Sequence, residues 1–260
     1  MINKCIVVTP AGRKCYLQKL VVQLEKQKND FNEWHLWVNT HNDDDINFMK
    51  TLENQYDWIK CIYRDAKKFS NLTIHKFFDY TNCPDTVYIR LDDDIIWLEE
   101  TFIKTLYNFR INNPQYFLVY GNIVNNQVID HIHQRLGVFV KLPFIEYKCM
   151  GNSWKDGNIC RKIHESFINS IKTNNLQKWK FSRWELLNHE RVSINAIAWI
   201  GGSFDNFVNK IGKSEECWLS ETFPKENNVY NVICGDALCV HYAFGPQRNL
   251  LTNDLLSKYD

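Results

Sequence analysis

Glycine and proline are scarce in this sequence of 260 residues, which contains only 10 glycines and 6 prolines. Low-complexity and collagen-like chains need far more of both residues, so these classes are excluded. Apolar residues make up 45% of the chain, and its 9 Trp, 12 Tyr and 16 Phe are ample for a packed core. The length lies at the upper end of what one hydrophobic core serves, which favours one large domain.

The sequence also lacks an excess of charge of either sign. Lys and Arg number 31 against 30 Asp and Glu, which gives a formal net charge of +1. Such a balance produces no whole-chain field for nucleic acid or an anionic membrane, and we expect no nucleic-acid partner. No apolar run approaches the roughly 20 residues of a transmembrane helix, so we expect no membrane span. Any charged ligand must be recognised by local groups.

The cysteines lack the spacing of a disulfide framework or a zinc site. There are nine of them, an odd number, and no two are arranged as CxxC. The apolar run near Met1 is only a few residues long. We therefore predict reduced thiols in a cytoplasmic protein that is soluble or peripheral. The alternative is a catalytic domain from a secreted or membrane-anchored protein, in which some cysteines would pair.

The first ninety residues alternate between strand and helix patterns. Apolar and β-branched runs predict four strands, at residues 6–9, 34–38, 58–63 and 86–91. Helical spacing of apolar residues follows the first three strands, at 16–24, from 46 onward, and at 72–78 after a capping Ser70. This rhythm predicts an α/β fold whose mostly parallel central sheet has helices on both faces.

The pattern changes after the fourth strand. Short strands are predicted at 117–120, 128–132 and 138–140, and a mixed segment at 162–187 is predicted to be helical. Neither a repeat nor a linker is evident. We therefore predict a single domain over residues 1–260 with two functional halves that meet near residue 115.

Three consecutive carboxylates, Asp92, Asp93 and Asp94, follow the fourth strand directly. Ligands of open α/β sheets bind beyond the carboxyl ends of the strands, where closely spaced carboxylates can hold a divalent cation against phosphate. We predict a metal and phosphate site here. The alternative is a solvated acidic turn that caps a helix starting near Leu98. The similar cluster at 43–45 is predicted to favour the N-terminus of a helix.

His241 lies at the predicted end of a short apolar strand near the C-terminus. Borderline cations such as Mn²⁺ accept mixed oxygen and nitrogen ligands, so the imidazole is a candidate third ligand for the same metal. Arg248 can form two hydrogen bonds to a diphosphate. The alternative is a packed histidine beside a surface arginine.

The adjacent acids Glu215 and Glu216 form a third candidate feature. One side chain of such a pair can be anchored while the other enters a cleft, where a carboxylate is a competent general base for a sugar hydroxyl. An exposed helix start is the alternative.

Taken together, these motifs resemble the GT-A glycosyltransferases, which use nucleotide sugars and have one Rossmann-like sheet. The aspartates at 92–94 match the DxD motif of these enzymes, and His241 matches a metal-binding histidine near their C-terminus. The segments 201–204 (Gly-Gly-Ser-Phe) and 215–220 (Glu-Glu-Cys-Trp-Leu-Ser) resemble two elements of the inverting family-2 members. Segment 90–94 is also similar to rhamnosyltransferase-like proteins of bacteria and large viruses.

The resemblance implies a metal-dependent transferase. Asp92, Asp94 and His241 would hold Mn²⁺ or Mg²⁺ against the diphosphate of a UDP-, GDP- or dTDP-sugar. Glu216, with Glu215 beside it, would deprotonate a hydroxyl of a glycan or glycoconjugate acceptor, with inversion at the sugar. The second acid of the family pattern is usually aspartate, so Glu216 reaches one methylene further.

The resemblance also implies which residues contact the donor and how the halves divide the work. The implied nucleotide-sugar contacts are Thr9, Pro10, Arg13, Asn39, Arg90, Asp92, Asp93 and Arg248. Residues 1–115 would bind the donor, and residues 116–260 would bind the acceptor and supply the base. The remaining alternatives are a retaining GT-A enzyme, a nucleotidyltransferase and an inactive carbohydrate-binding relative. In the last of these, tryptophans at 154, 179, 184, 199 and 218 would stack on sugars.

Overall fold

A mixed β-sheet organises the chain. The computed structural model describes residues 2–64, 69–70, 72–139, 141–203, 214–251 and 253–259. The strands within these ranges are β1 (Lys4–Ala11), β2 (Glu33–Val38), β3 (Ile59–Ile62), β4 (Thr86–Leu91), β5 (Ile95–Leu98), β6 (Val119–Val124), β7 (Arg183–Leu186), β8 (Ala196–Ile200) and β9 (Asn231–His241). The sheet order is β3-β2-β1-β4-β8-β6-β9-β5, and β7 pairs with β9.

Helices flank this sheet. They are α1 (Lys14–Glu25), α2 (Asp43–Gln55), α3 (Phe102–Asn112), α4 (Gln127–Arg135), α5 (Asn152–Lys155), α6 (Gly157–Lys172), α7 (Glu215–Cys217), α8 (Phe223–Asn227) and α9 (Asn253–Ser257). Short 3₁₀ segments lie at Lys28–Asp30, Ile74–Tyr80, Leu176–Trp179 and Gly245–Leu250, and a π turn (Trp218–Thr222) joins α7 to α8. In the described ranges, none of the helices has the length and apolar character that crossing a bilayer demands.

The predicted α/β fold is confirmed. The β1, β2, β3 and β4 strands are parallel neighbours and lie at the four predicted positions, although β3 is one residue shorter at each end than predicted. The β8 strand joins β4 antiparallel. All residues of β4 and β6 are buried, as expected for strands covered on both faces. All nine cysteines are free.

Several predictions from the second half of the chain are wrong. Residues 128–132 lie in α4, because Val128, Ile129 and Ile132 are spaced to bury one helical face. No strand contains residues 138–139, and residue 140 lies outside the described residues. The segment 162–187 is α-helical only as far as Lys172, where α6 ends, and it then contains the 3₁₀ segment Leu176–Trp179 and the strand β7.

The surroundings of the predicted acidic motifs also differ from expectation. No helix starts near Leu98, which ends the strand β5, and α3 begins only at Phe102. The helix predicted after Ser70 is a 3₁₀ helix, and it begins only at Ile74. The alternative of a solvated, helix-capping acidic turn therefore fails, since Asp94 is 3% exposed and is followed by a strand.

The sheet topology places the ends of distant strands at one edge. Strands β1, β2 and β4 are parallel, so their carboxyl ends meet there. The β9 strand runs in the same direction, because β4, β8 and β6 alternate and β6 is parallel to β9. In addition, β5 pairs with β9 so that Ile95 lies opposite His241. This register brings Asp94 beside the C-terminal histidine.

Candidate active site

The carboxyl ends of β1, β2, β4 and β9 border a cavity of about 570 Å³. Most residues predicted for the site line it: Pro10, Arg13, Asn39, Arg90, Asp92, Asp93, Asp94, Glu215, Glu216, His241 and Arg248. Thr9 does not, because it is fully buried and its Oγ1 accepts a hydrogen bond of 2.9 Å from Nε1 of Trp34. The fold thus gathers motifs from both ends of the chain.

Asp93 anchors the loop that follows β1. Its Oδ2 accepts a hydrogen bond of 3.1 Å from the backbone N of Gly12, and its Oδ1 accepts one of 3.0 Å from Nε of Arg13. NH2 of Arg13 also contacts Oδ1. Burial raises the pKa of Asp93 to about 6, although the Arg13 guanidinium favours the charged form. The Asp93 carboxylate therefore binds the loop after β1 and fixes Arg13 in the cavity wall.

Asp94 faces three nitrogen-bearing side chains. Its Oδ2 lies 2.9 Å from NH2 of Arg13, 3.4 Å from Nε2 of His241 and 3.7 Å from NH2 of Arg248. Burial alone would raise the pKa of Asp94, but His241 and Arg13 hold it well below its usual range. Asp94 is therefore a carboxylate at neutral pH. Arg248 is 46% exposed and is free to turn toward a ligand.

Arg90 joins the aspartate motif to the acidic pair. Its guanidinium is buried in β4 and donates from Nε to Oδ1 of Asp92 at 3.0 Å and from NH1 to Oε1 of Glu215 at 2.7 Å. Oδ2 of Asp92 accepts a hydrogen bond of 3.1 Å from Nδ2 of Asn195. Burial raises the pKa of Glu215, and Arg90 opposes this shift. Arg90 thus anchors Oε1 of Glu215, while its Oε2 is buried without a hydrogen-bond partner among the described residues.

Glu216 is the more exposed acid of the pair, with 23% of its side chain exposed against 8% for Glu215, and both line the cavity. Its Oε1 accepts hydrogen bonds of 3.1 and 2.9 Å from Nε and NH2 of Arg191, and one of 3.5 Å from Sγ of Cys149. Within the described ranges, Oε2 has no hydrogen-bond partner. Glu215 and Glu216 are the first two residues of α7, and Ser214 caps this helix by accepting a hydrogen bond from the backbone N of Cys217. One oxygen of Glu216 is therefore held, while the other is available to accept a proton.

The side chains of Asp94 and His241 suit a divalent cation. Oδ2 and Nε2 face each other, and together they offer the oxygen and nitrogen ligands that Mn²⁺ accepts. Asp92, the predicted third ligand, is instead bonded to Arg90 and Asn195. Among the described residues, no group of three or more His, Cys, Asp or Glu side chains is placed to hold a metal. The predicted participation of Asp92 in a metal site remains a prediction.

The other end of the cavity is formed by loops after β1 and β2. The Asn39 side chain accepts from Oγ1 of Thr73 at 3.0 Å and donates to the carbonyl oxygen of Ser70 at 3.4 Å. This contact fixes the loop that leads into the 3₁₀ helix, and Pro10 and Leu72 complete that wall. Polar side chains of Asn39 and Ser70 and apolar side chains of Pro10 and Leu72 thus share this wall.

Aromatic rings form a platform next to His241. The Phe244 ring lies 4.3 Å from the imidazole and 5.8 Å from the ring of Trp154, measured between centroids. Both residues line the cavity. Of the five tryptophans considered for sugar stacking, Trp179 and Trp199 are fully buried, so packing in the core accounts for them.

The predicted Gly-Gly element lies at the end of β8. A Cβ on Gly201 would come within 2.0 Å of the carbonyl oxygen of Cys83, so no larger residue fits there. Gly202 has a φ of +82°, a conformation that favours glycine. Phe204, the last residue of the element, lies outside the described residues. The two glycines are thus explained by close packing and turn geometry.

Sequence reasoning missed Arg191 and Asn195. Both precede β8 in an irregular segment, and each holds a predicted acid, Glu216 and Asp92 respectively. Local periodicity carries no signal for either residue. Only the pairing of β8 with β4, which brings this segment to the site edge, identifies them.

Comparisons with known proteins locate the fold but not the family. No family model matches the chain, and no curated protein matches its sequence significantly. Among solved structures, the mannosyltransferase PcManGT from Pyrobaculum calidifontis in complex with GDP-Man and Mn²⁺ is 7% identical, with a TM-score of 0.53. The match covers 93% of this chain but only 57% of the mannosyltransferase.

Two other solved structures are similar over almost the whole chain. CMP:2-keto-3-deoxy-manno-octonic acid synthetase complexed with CTP is 7% identical, with a TM-score of 0.50 and 98% coverage of each chain. The 4-diphosphocytidyl-2C-methyl-D-erythritol synthase from Anaerococcus prevotii DSM 20548 is 12% identical, with a TM-score of 0.49 and coverage of 98% of this chain and 93% of that one. At these identities the likeness to the mannosyltransferase and to the synthetase complexed with CTP shows the fold alone, which is GT-A-like and Rossmann-like.

Proposed function

We propose that this protein transfers a sugar from a UDP-, GDP- or dTDP-sugar to a hydroxyl of a glycan or glycoconjugate, with Mn²⁺ or Mg²⁺ and with inversion. The observation that carries the proposal is that the Asp94–His241 pair and the half-free carboxylate of Glu216 line one cavity. A cation site and a candidate base in one cavity supply both needs of the reaction, namely leaving-group stabilisation and acceptor deprotonation.

The donor side is supported by the groups around Asp94. Asp94 and His241 would hold a divalent cation, which supplies positive charge for the leaving nucleoside diphosphate. The guanidinium of Arg248 lies 3.7 Å from Asp94 and reaches solvent, so it can donate to the same phosphates. Arg13 is held by Asp93 and adds fixed positive charge to the wall.

The acceptor side is supported by the geometry of Glu216. Arg191 fixes Oε1, so Oε2 can accept the proton of an acceptor hydroxyl. The hydroxyl oxygen then forms a bond to the anomeric carbon as the bond from that carbon to the donor phosphate breaks. The products are the glycoside and a nucleoside diphosphate, with the proton on Glu216. Attack from the face opposite the phosphate inverts the anomeric configuration.

The fold likeness to a mannosyltransferase crystallised with GDP-Man and Mn²⁺ is consistent with this proposal. The likeness to a synthetase crystallised with CTP, which covers 98% of both chains, favours nucleotidyl transfer as the second candidate. In that reaction an oxygen of the sugar attacks the α-phosphorus of a nucleoside triphosphate, and pyrophosphate leaves.

The leaving group decides between the two candidates. The protein is incubated with UDP-, GDP- and dTDP-sugars or with nucleoside triphosphates and free sugars, each with Mn²⁺, Mg²⁺ or EDTA. We expect metal-dependent release of nucleoside diphosphate from one donor and no pyrophosphate. Pyrophosphate released from a triphosphate with a sugar would replace the proposal by nucleotidyl transfer.

Two variants separate the donor and acceptor roles. Asp94→Ala should abolish both transfer and donor hydrolysis, whereas Glu216→Gln should remove transfer while donor binding persists. Full transfer by the Glu216→Gln protein, or retained anomeric configuration in the product NMR spectrum, would refute the inverting assignment. If no nucleotide or metal raises the melting temperature, the chain is an inactive relative.

A further inference from the structure

A second cavity, of about 330 Å³, lies on the acceptor side of the protein and has no part in the chemistry described above. Its volume is at the lower end of the range of about 300–1,000 Å³ that small-molecule sites show. It is lined by His131, Tyr147, Trp184, Glu185, Leu187, Asn188 and Glu190. The wall contains three ring side chains and two carboxylates.

Trp184 is the exposed aromatic surface of this cavity. The residue is 39% exposed, although it lies in β7, whose partner β9 is buried over nearly all its length. Its Nε1 donates a hydrogen bond of 3.4 Å to the hydroxyl of Tyr147, whose ring lies 5.0 Å from that of His131. An indole fixed at its polar edge and open to solvent presents a rigid apolar surface.

Acceptors for hydroxyl groups surround this surface. Oε1 of Glu190 accepts from the hydroxyl of Tyr147 at 3.2 Å and from Nδ2 of Asn188 at 3.4 Å, and its Oε2 accepts from the backbone N of Asn188 at 3.2 Å. Oε2 keeps a further lone pair. Glu185 contributes a second carboxylate, which accepts from the hydroxyl of Tyr116. An aromatic face with a rim of acceptors matches a pyranose ring, which has an apolar C–H face and a rim of hydroxyl donors.

The charge of this cavity selects against a nucleotide or a phosphate. Two glutamates but no lysine or arginine belong to the described lining residues. The first cavity differs, because four arginines line it beside its carboxylates: Arg13, Arg90, Arg191 and Arg248. The second cavity therefore favours a ligand that is neutral or cationic.

Two short connections join this cavity to Glu216. Glu190 lines the second cavity, and its neighbour Arg191 bonds to Glu216 in the first. Tyr147 likewise lines the second cavity, while Cys149, two residues along the chain, contacts Glu216. Residues one or two positions apart in the chain therefore contact Glu216 and line the second cavity.

We propose that the second cavity is an acceptor subsite, which binds one sugar unit of the acceptor glycan by stacking on Trp184 and by hydrogen bonds to Glu190. Its role as an acceptor subsite rests on the proposed glycosyl transfer, since it would guide a hydroxyl of the acceptor glycan toward Glu216. Its sugar binding requires neither nucleotide nor metal.

The binding is tested without a donor. The nine tryptophans are replaced by 5-fluorotryptophan, and the ¹⁹F NMR signal of position 184 is assigned from its loss in Trp184→Phe. Methyl glycosides of glucose, galactose, mannose and rhamnose, and disaccharides of the same sugars, are titrated into the protein. We expect saturable movement of the Trp184 signal by a subset of these sugars, and at least tenfold weaker binding in Glu190→Gln. The matched control, Tyr80→Ala, removes an equally exposed aromatic ring elsewhere and should bind as the wild type does.

The outcomes separate this proposal from the proposed function. If a nucleoside diphosphate with Mn²⁺ stabilises the protein but none of the sugars moves the Trp184 signal, the subsite is refuted and the transferase proposal stands. If sugars move this signal while no nucleotide binds, the site is a sugar site but the transferase proposal fails. Movement caused only by a quaternary ammonium probe, such as choline, would refute the subsite in favour of an aromatic cage for cations.

Discussion

Nδ1 of His241 lies 3.2 Å from the carbonyl oxygen of Asn125. A carbonyl oxygen only accepts hydrogen bonds, so Nδ1 is the donor and Nε2 is the nitrogen that faces Asp94. Asn125 is itself fixed, because its Nδ2 donates to the carbonyl oxygen of Tyr242 at 3.0 Å and to Oε1 of Gln247 at 3.1 Å. A histidine held in this way presents Nε2 to a metal in one orientation.

We expect His241→Ala to weaken Mn²⁺ binding in the presence of a nucleoside diphosphate by at least about tenfold, because one of two facing ligands is lost. Titration calorimetry measures the affinity, with UDP, GDP and dTDP tested in turn. The control is His131→Ala, which removes a ring of the second cavity and should leave the Mn²⁺ affinity unchanged. Equal Mn²⁺ affinity in His241→Ala and the wild type would remove this residue from the metal site.

The pair of hydrogen bonds from Arg191 to Glu216 predicts a positioning role. In Arg191→Ala the carboxylate loses its anchor, and misplacement of a reacting group by about 1 Å costs on the order of 100-fold in rate. We expect kcat for transfer to fall by that factor with the donor KM unchanged, and Arg191→Lys to recover part of it. A raised donor KM with an unchanged kcat would instead indicate that Arg191 binds the donor.

The parallel half of the sheet and the acidic motifs could be predicted because their signals are local. The strand β4 is mostly apolar and fully buried, and the aspartates follow it directly, so one rule about strand ends locates the cavity. Residues 128–132 are wrongly predicted as a strand because a short apolar run suits either structure. Their helical spacing becomes decisive only when Gln127 to Arg135 is considered as a whole.

The pairing of charges within the site could not be predicted. Arg90 bonds to both Asp92 and Glu215, which lie 2 and 125 positions away in the chain. Such contacts depend on which strands become neighbours, and local spacing does not carry that information. The same holds for Thr9, whose burial beneath Trp34 follows from the pairing of β1 with β2.

The close packing around Gly201 predicts an effect on stability that is independent of catalysis. In Gly201→Ala the new Cβ would lie 2.0 Å from the carbonyl oxygen of Cys83, and backbone must move to relieve the clash. We expect the free energy of unfolding to fall by about 3 kcal/mol or more, the upper end of overpacking effects. In Gly245→Ala no atom lies within 4 Å of the new Cβ, so the change should be small. Similar urea midpoints for the two variants would contradict the packing around Gly201.

Two buried histidines make the fold sensitive to acid. His164 and His133 are both 0% exposed, and burial lowers their pKa values to about 4 and about 3. Nε2 of His164 donates to the carbonyl oxygen of Tyr242 at 2.8 Å, and its Nδ1 accepts from the hydroxyl of Tyr259 at 2.7 Å. Both rings are therefore neutral in the folded protein.

The sign of the effect follows from the unfolded chain, where a histidine has an ordinary pKa of 6.5. Above that pH neither the folded nor the unfolded protein binds the proton, so the two rings do not make the free energy of unfolding depend on pH. Below it the unfolded chain binds protons that the folded protein excludes, so each ring lowers the free energy of unfolding by up to about 1.4 kcal/mol per pH unit until its folded pKa is reached. Urea unfolding at pH 7, 6 and 5 measures this slope. We expect His164→Gln, whatever its stability at pH 7, to have a smaller slope than the wild type, and the exposed His41→Gln to have the same slope as the wild type. An unchanged slope in His164→Gln would mean that His164 takes up its proton in the folded protein as readily as in the unfolded chain.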